Sequence, residues 1–240
     1  MENTTWWKWG DPKQAQHLSK YPKLVAHLEE QWQKKLSDDF KIPSSFEVPD
    51  AEFSQDDFCT TFPQLKVEQF SNQKIDRLRY SIGRSYHDVM KVFTNQILHY
   101  PNFIVFPESN EDIKHILAQT AAHNLKIITY SGGSNVTCAT ESDSKYKTLV
   151  LNMTRMNKLL GIDTVSETAT FEAGIYGPEL EKTLNQKGFT LGHFPQSFEF
   201  STLGGWVATR SAGQESGLYG KIEDLVLGIK TICPSGTIEH

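Results

Sequence analysis

Nothing in this sequence is long and apolar enough for a bilayer: no hydrophobic run approaches the roughly 20 residues that a spanning helix needs. The opening "MENTTWWKWGDPK" lacks the basic-then-apolar layout of a secretory leader, and the last residues are not an SKL-type peroxisomal end. Cysteine is scarce. Cys59, Cys138 and Cys233 are odd in number and far apart, which excludes a disulfide framework and points to free thiols in a reducing compartment. The eight histidines form neither HExxH nor a Cys/His cluster, so no metal site is expected. Basic surplus is missing too. A net charge of −5 and a pI of about 5.9 argue against a mainly electrostatic nucleic-acid binder. GxGxxG and GxxxxGK[ST] are both absent, as are internal repeats and low-complexity tracts. The expected location is cytoplasmic.

What remains is a 240-residue chain with 38% hydrophobic residues, enough for a packed core in one large or two small domains. Its first 60 residues differ from the rest. After "WWKWG", the stretch "QAQHLSKYPKLVAHLEEQWQKKL" has helical spacing, with Leu24, Leu28, Trp32 and Leu36 on one face. Pro43, Pro49 and Pro63 then mark a loop-rich link. From about residue 97 short apolar strands alternate with helices. Strands are expected at 103–107, 125–130, 148–153, 169–174 and 224–233, and helices at 109–124 and 177–188. Ser109 and Asp112 have capping-box spacing; Pro178 and Gly188 bracket the second helix. "TICPSGTIEH" reads as a strand, a turn and a second strand. The pattern predicts an α/β or α+β domain.

Two segments are rich in glycine and hydroxyl residues. "TYSGGSNVT" (129–137) follows a strand; it is either an ordinary turn or a nest of backbone N–H groups for an anion. "GHFPQSFEFSTLGGWVATRSAGQESGLYG" (192–220) reads as a long structureless loop, which inside a compact domain needs a reason. A ligand threaded between amides would supply one; the bland reading is a flexible surface loop. Gly204, Gly205 and Gly213 allow close approach, while Ser201, Thr202 and Thr209 offer donors. Two such segments together favour a ligand. Other residues stay open. Arg77, Arg79 and Arg84 form either a solvated helix face or a phosphate or domain contact. Trp6, Trp7 and Trp9 read as packing. Glu223 and Asp224 read as strand-start polarity rather than a general-base pair. His193 is structural or catalytic.

Three strings carry a resemblance: "PNFIVFPESNEDIKHIL", "KIITYSGGSNVT" and "FPQSFEFSTLGGWVATRSAGQESGLYGKIEDLVLGIKTICPSGTIE". They look like the FAD-binding (PCMH-type) domain of the vanillyl-alcohol-oxidase flavoproteins, and within that family they are most similar to the alkyldihydroxyacetonephosphate synthases. "WWKWG" and "RLRYSIGRSYHDVM" resemble the same branch. The resemblance implies an α+β fold of two subdomains at 97–240, incomplete at its C-terminus and without the catalytic cap, after a mostly helical segment at 1–96. It implies FAD held non-covalently, since no histidine stands in the first loop. Thr129, Tyr130, Ser131, Gly132, Gly133, Ser134 and Asn135 would hold the pyrophosphate. Gln196, Ser197, Ser201 and Thr202 would line the path to the isoalloxazine, with Gly204, Gly205, Thr209, Arg210, Ser211 and Ala212 continuing the wall. Ile222–Asp224 would add backbone contacts. Relatives carry a third glycine where Ser131 stands, so a positive φ there would strain the serine.

The implied activity is that of a transferase in ether-lipid synthesis, exchanging the acyl group of acyl-dihydroxyacetone phosphate for a fatty alcohol, with this chain inactive alone. The alternatives are an FAD-linked oxidoreductase of hydroxy acids or alcohols, and a non-enzymatic remnant. Expected partners are a lipid or small-molecule substrate, a membrane surface, and either a second copy or a complementing C-terminal chain, with no nucleic acid.

Overall fold

The computed structural model of the chain describes residues 7, 9, 18–36, 46–143 and 145–239; Trp6 and Pro43 lie outside them. Among the described residues, four α-helices precede the main crossover: α1 (Pro22–Trp32), α2 (Gln55–Thr61), α3 (Lys74–Arg79) and α4 (Tyr86–Phe93). Pro22 opens α1, where a missing N–H removes no helical bond. Ser54 and Ser85 start α2 and α4 with capping boxes, each hydroxyl accepting from the amide of an aspartate three residues on. The apolar stripe of α1 buries nothing: Leu24 and Trp32 are exposed, and Leu36 falls past the helix end.

Strands β1 (Phe70–Ser71), β2 (Phe103–Val105), β3 (Lys126–Tyr130) and β4 (Thr148–Asn152) make one sheet in the order β1-β2-β4-β3. β4 runs parallel to both neighbours, and all five of its residues are buried, as a central parallel strand requires. β1 pairs antiparallel on the edge. Helix α5 (Asn110–Ala122) is the crossover from β2 to β3, begun by Ser109 Oγ, which accepts from the Asp112 amide. Asp112 departs from the box pattern: its carboxylate accepts from the Glu108 amide at 2.8 Å.

Strand alternation sorts the core. Phe103, Val105, Leu149 and Leu151 face Phe53, Phe58, Phe62 and Ile116, while Ile104, Ile128, Tyr130 and Val150 fill the opposite face. The Phe53 and Phe103 rings stack at 4.1 Å, so residues 53–62 share a core with the sheet. Two antiparallel hairpins follow, β5 (Leu159–Asp163) with β6 (Thr168–Phe171) and β7 (Lys230–Cys233) with β8 (Gly236–Glu239). Between them lie α6 (Gly177–Asn185), α7 (Leu203–Thr209), α8 (Ser216–Tyr219) and α9 (Ile222–Leu225), around a second core of Ile175, Leu180, Leu184, Trp206 and Ile222. The architecture is α+β.

Three expectations change. The segment 192–220 is not structureless: Trp206, almost fully buried, anchors α7, and Thr202 caps it. The strand expected from residue 224 begins at Lys230, because Asp224 accepts from the Lys221 amide at 2.9 Å and starts a helical turn; Glu223 and Asp224 are therefore helix residues. The three arginines share no solvated face. Arg77 is buried and donates to the Pro101 and Pro49 carbonyls at 2.7 and 2.5 Å, Arg79 pairs with Asp76, and Arg84 lies against the Trp9 and Phe200 rings.

Phe103→Ala should cost about 3–5 kcal/mol, because the ring is fully enclosed and its neighbours cannot collapse into the space. Urea unfolding checks this; a loss under about 1 kcal/mol would contradict the shared core.

Candidate functional site

An open cleft of about 1700 Å³ lies at the carboxyl ends of β2, β3 and β4, where ligands of open parallel sheets collect. Thr129 and Tyr130 end β3, and the loop Ser131–Asn135 turns along the cleft wall. Glycine is required twice here. A Cβ on Gly132 would overlap the Phe200 carbonyl oxygen, and Gly133 sits at φ +66°. Ser131 is not at positive φ, so it carries no strain. Its Oγ lies 2.7 Å from Thr202 Oγ1, tying the first loop to the second segment.

The loop leaves its donors unspent. Among the described residues, the backbone N–H groups of Gly132, Gly133, Ser134 and Asn135 have no acceptor within the protein. Asn135 turns its side-chain oxygen back to the Thr137 and Ala139 amides at 3.0 and 3.2 Å, which fixes the end of the loop. Four successive free amides beside a cleft are the donors that an anion nest would use.

The second segment forms the facing wall. Ser197, Ser201, Thr202, Gly204, Gly205, Thr209 and Ser211 line the cleft. Gln196, Arg210 and Ala212 do not. Arg210 is the left-handed C-cap of α7 and turns to Glu223 at 3.0 Å; Gln196 and Ala212 face solvent. The hydroxyls are also less available than their composition suggests. Ser201 donates to the Ser197 carbonyl and accepts from Trp206 Nε1 at 2.6 Å, and Thr209 donates to the Gly205 carbonyl. Gly204 packs its backbone on Ala173, accepting no Cβ there, whereas a Cβ on Gly205 would meet only Thr202 Oγ1 at 3.3 Å and Ser131 Oγ at 3.7 Å. Ile222 lines the cleft, and its amide donates to the Ser211 carbonyl. Glu223 and Asp224 do not reach it.

Burial governs the titratable groups. It pushes the Tyr130 hydroxyl far above its ordinary value and Tyr176 up to about 12, so both stay protonated. His193 is buried against Trp206, with Nε2 at 2.7 Å from Ser211 Oγ, and burial holds its pKa below 6.5. Sequence reading missed the walls given by Ile162, Thr168, Ala169 and Thr170 of the first hairpin and by the strip 225–232. The signal available was the alternation in "TATF", which marked the strand but not its face.

The FAD binding domain family matches residues 101–240. The alkyldihydroxyacetonephosphate synthase of Dictyostelium discoideum is 42% identical over 173 residues, covering 72% of this chain and 28% of that protein. A solved structure of an alkyldihydroxyacetonephosphate synthase superposes with a TM-score of 0.87 at 32% identity, over 99% of this chain and 49% of that one. The uncharacterized FAD-linked oxidoreductase YgcU of Escherichia coli K12 is 35% identical over 155 residues, 65% of this chain and 31% of its own length. The chain thus spans about a third of the curated relatives it matches.

Gly132→Ala should force the loop away from Phe200 and abolish ligand binding, while Gly205→Ala should leave the fold intact with at most a modest change in affinity. Equal behaviour of the two variants in a flavin titration would refute this geometry. His193 gives a pH prediction. The unfolded chain takes up its proton near pH 6.5 and the folded protein only at lower pH, so stability is full above 6.5 and falls as pH drops towards the folded pKa. His193→Gln should flatten that part of the curve of melting temperature against pH; an unchanged slope would contradict it.

Proposed function

This chain belongs to the FAD binding domain family, and from that premise we propose that it holds FAD non-covalently in the cleft as the flavin-binding part of an alkyldihydroxyacetonephosphate synthase. The four unspent amides of Gly132–Asn135 carry the reading, because a diphosphate needs donors and these have no other acceptor. The cleft fits the group. Its volume exceeds the roughly 300–1,000 Å³ of ordinary small-molecule sites. Residues 129–137 contain neither histidine nor cysteine, and Cys138 Sγ faces Ser85 Oγ at 3.6 Å, which supports a non-covalent cofactor.

In this reading the Ser131–Asn135 loop binds the diphosphate, and the segment 197–211 forms the wall along which the ring lies. Leu203 and Val207 supply apolar surface that keeps water from the cleft. When bound, the flavin supplies the chemistry by which acyl-dihydroxyacetone phosphate exchanges its acyl group for a fatty alcohol without net redox change. The alcohol contributes its alkoxy oxygen, and the acyl group leaves with its ester oxygen as a fatty acid. The chain spans about a third of its curated relatives, and in this reading the catalytic groups belong to the part of those proteins that it does not match, brought by further sequence or a complementing chain, so that this part alone is inactive and takes up FAD weakly. A second copy is the alternative partner. The long-chain substrates require contact with a membrane surface. No helix among the described residues is long and apolar enough to cross a membrane. The likeness to YgcU supports a second reading, an FAD-linked oxidoreductase, for which the proposed substrates are hydroxy acids or alcohols.

FAD should bind the isolated chain weakly but saturably, and all flavin should stay in the supernatant after acid precipitation. Flavin in the pellet would contradict non-covalent binding; no saturation at any concentration would contradict the cradle. Joined to the C-terminal part of a synthase, the chain should catalyse alkyl exchange; bleaching of the flavin by glycolate or lactate would support the oxidoreductase instead.

A further inference from the structure

Behind the glycine loop lies a cation without an acid. Of the five arginines, Arg79, Arg155 and Arg210 each meet a carboxylate, and Arg77 is held by two backbone carbonyls. Arg84 has neither. Its guanidinium lies 5.3 Å from the Trp9 ring centroid and 4.8 Å from that of Phe200, and its Nη1 is buried with no hydrogen-bond partner. The backbone at this point is pressed onto the loop: the Arg84 amide donates to the Asn135 carbonyl at 2.7 Å, and a Cβ on Gly83 would meet that same oxygen at 2.5 Å. Its electrostatic neighbours are the hydroxyls of Tyr130 and Tyr176, which stay neutral, and Tyr176 donates to the Ser131 carbonyl at 3.5 Å. The guanidinium does not line the cleft.

Two roles fit a cation between rings. The bland one is a clasp, in which cation–π contacts hold Trp9 to the Phe200 segment. That role does not require leaving a largely desolvated charge unmatched, a costly arrangement in a fold that pairs its other arginines. An anion on the far side of the loop would supply the match. We propose that Arg84 is a positioning residue, a fixed positive charge that acts through the Ser131–Asn135 loop on a diphosphate held at its front. The inference rests on the reading of the loop as a diphosphate cradle. At roughly 10 Å and an effective dielectric near 20, one such charge changes the affinity for an anion by about tenfold.

The test uses the full chain, with inorganic pyrophosphate and FAD as probes and the melting temperature as readout. Pyrophosphate should raise the melting temperature of the wild type. Arg84→Met should melt no lower than wild type without ligand, because an apolar isostere replaces an unmatched charge, yet it should lose most of the pyrophosphate response and bind FAD about tenfold more weakly. Arg84→Lys should keep most of both. A wild type indifferent to pyrophosphate, an Arg84→Met variant with the full response, or one whose melting temperature falls equally with and without ligand would overturn the proposal, the last by assigning Arg84 to the clasp. FAD binding separates the two levels. Equal binding by wild type and Arg84→Met defeats the role of Arg84 and leaves the cradle standing; no binding by either defeats the cradle.

Discussion

The structure around the cleft depends on one close approach, the backbone of Gly132 against the carbonyl of Phe200. No side chain fits between them, and the Ser131 and Thr202 hydroxyls close the seam at 2.7 Å. The seam joins two parts of the chain nearly 70 residues apart. One is the loop after β3, set by the parallel sheet; the other is the entry to α7, set by the second core. The bridge between Tyr176 and Thr202, with the Gly177 amide donating to the Ser201 carbonyl, extends the contact to the start of α6.

This constraint explains the division of labour among the polar residues. In the second segment the hydroxyls are committed inward. Ser197 and Trp206 both donate to Ser201 Oγ, Thr209 bonds its own helix, and Ser211 meets His193. They shape a wall and leave little for a ligand. In the first loop the side chains hold the turn while the amides stay free, so in the proposed reading ligand binding there is a backbone property. It should tolerate changes of side chain at Ser134 better than any added bulk at Gly132.

Much of this was legible in the sequence. The parallel strands announced themselves as β-branched runs, and α5 and α6 by their caps, because burial on both faces and capping chemistry leave local marks. The resemblance carried by the Phe200–Trp206 string gave the second wall and the FAD binding domain family that matches residues 101–240. Other features depend on distant partners and left no local mark. α7 was hidden because two glycines mask a helix that Trp206 anchors from within the core. β5 was hidden because Gly161 and a bulge break its alternation. The arginine cluster stayed open between two readings because Arg77 and Arg84 find their surroundings across 24 or more residues, at Pro101 and at Phe200, beyond any periodicity argument.

Amide hydrogen exchange at saturating FAD tests the central claim most directly, because the claim concerns backbone donors. The account predicts slowed exchange at Gly132, Gly133, Ser134 and Asn135, which without ligand have no acceptor in the protein. Unchanged exchange at these four amides, with FAD bound, would contradict it.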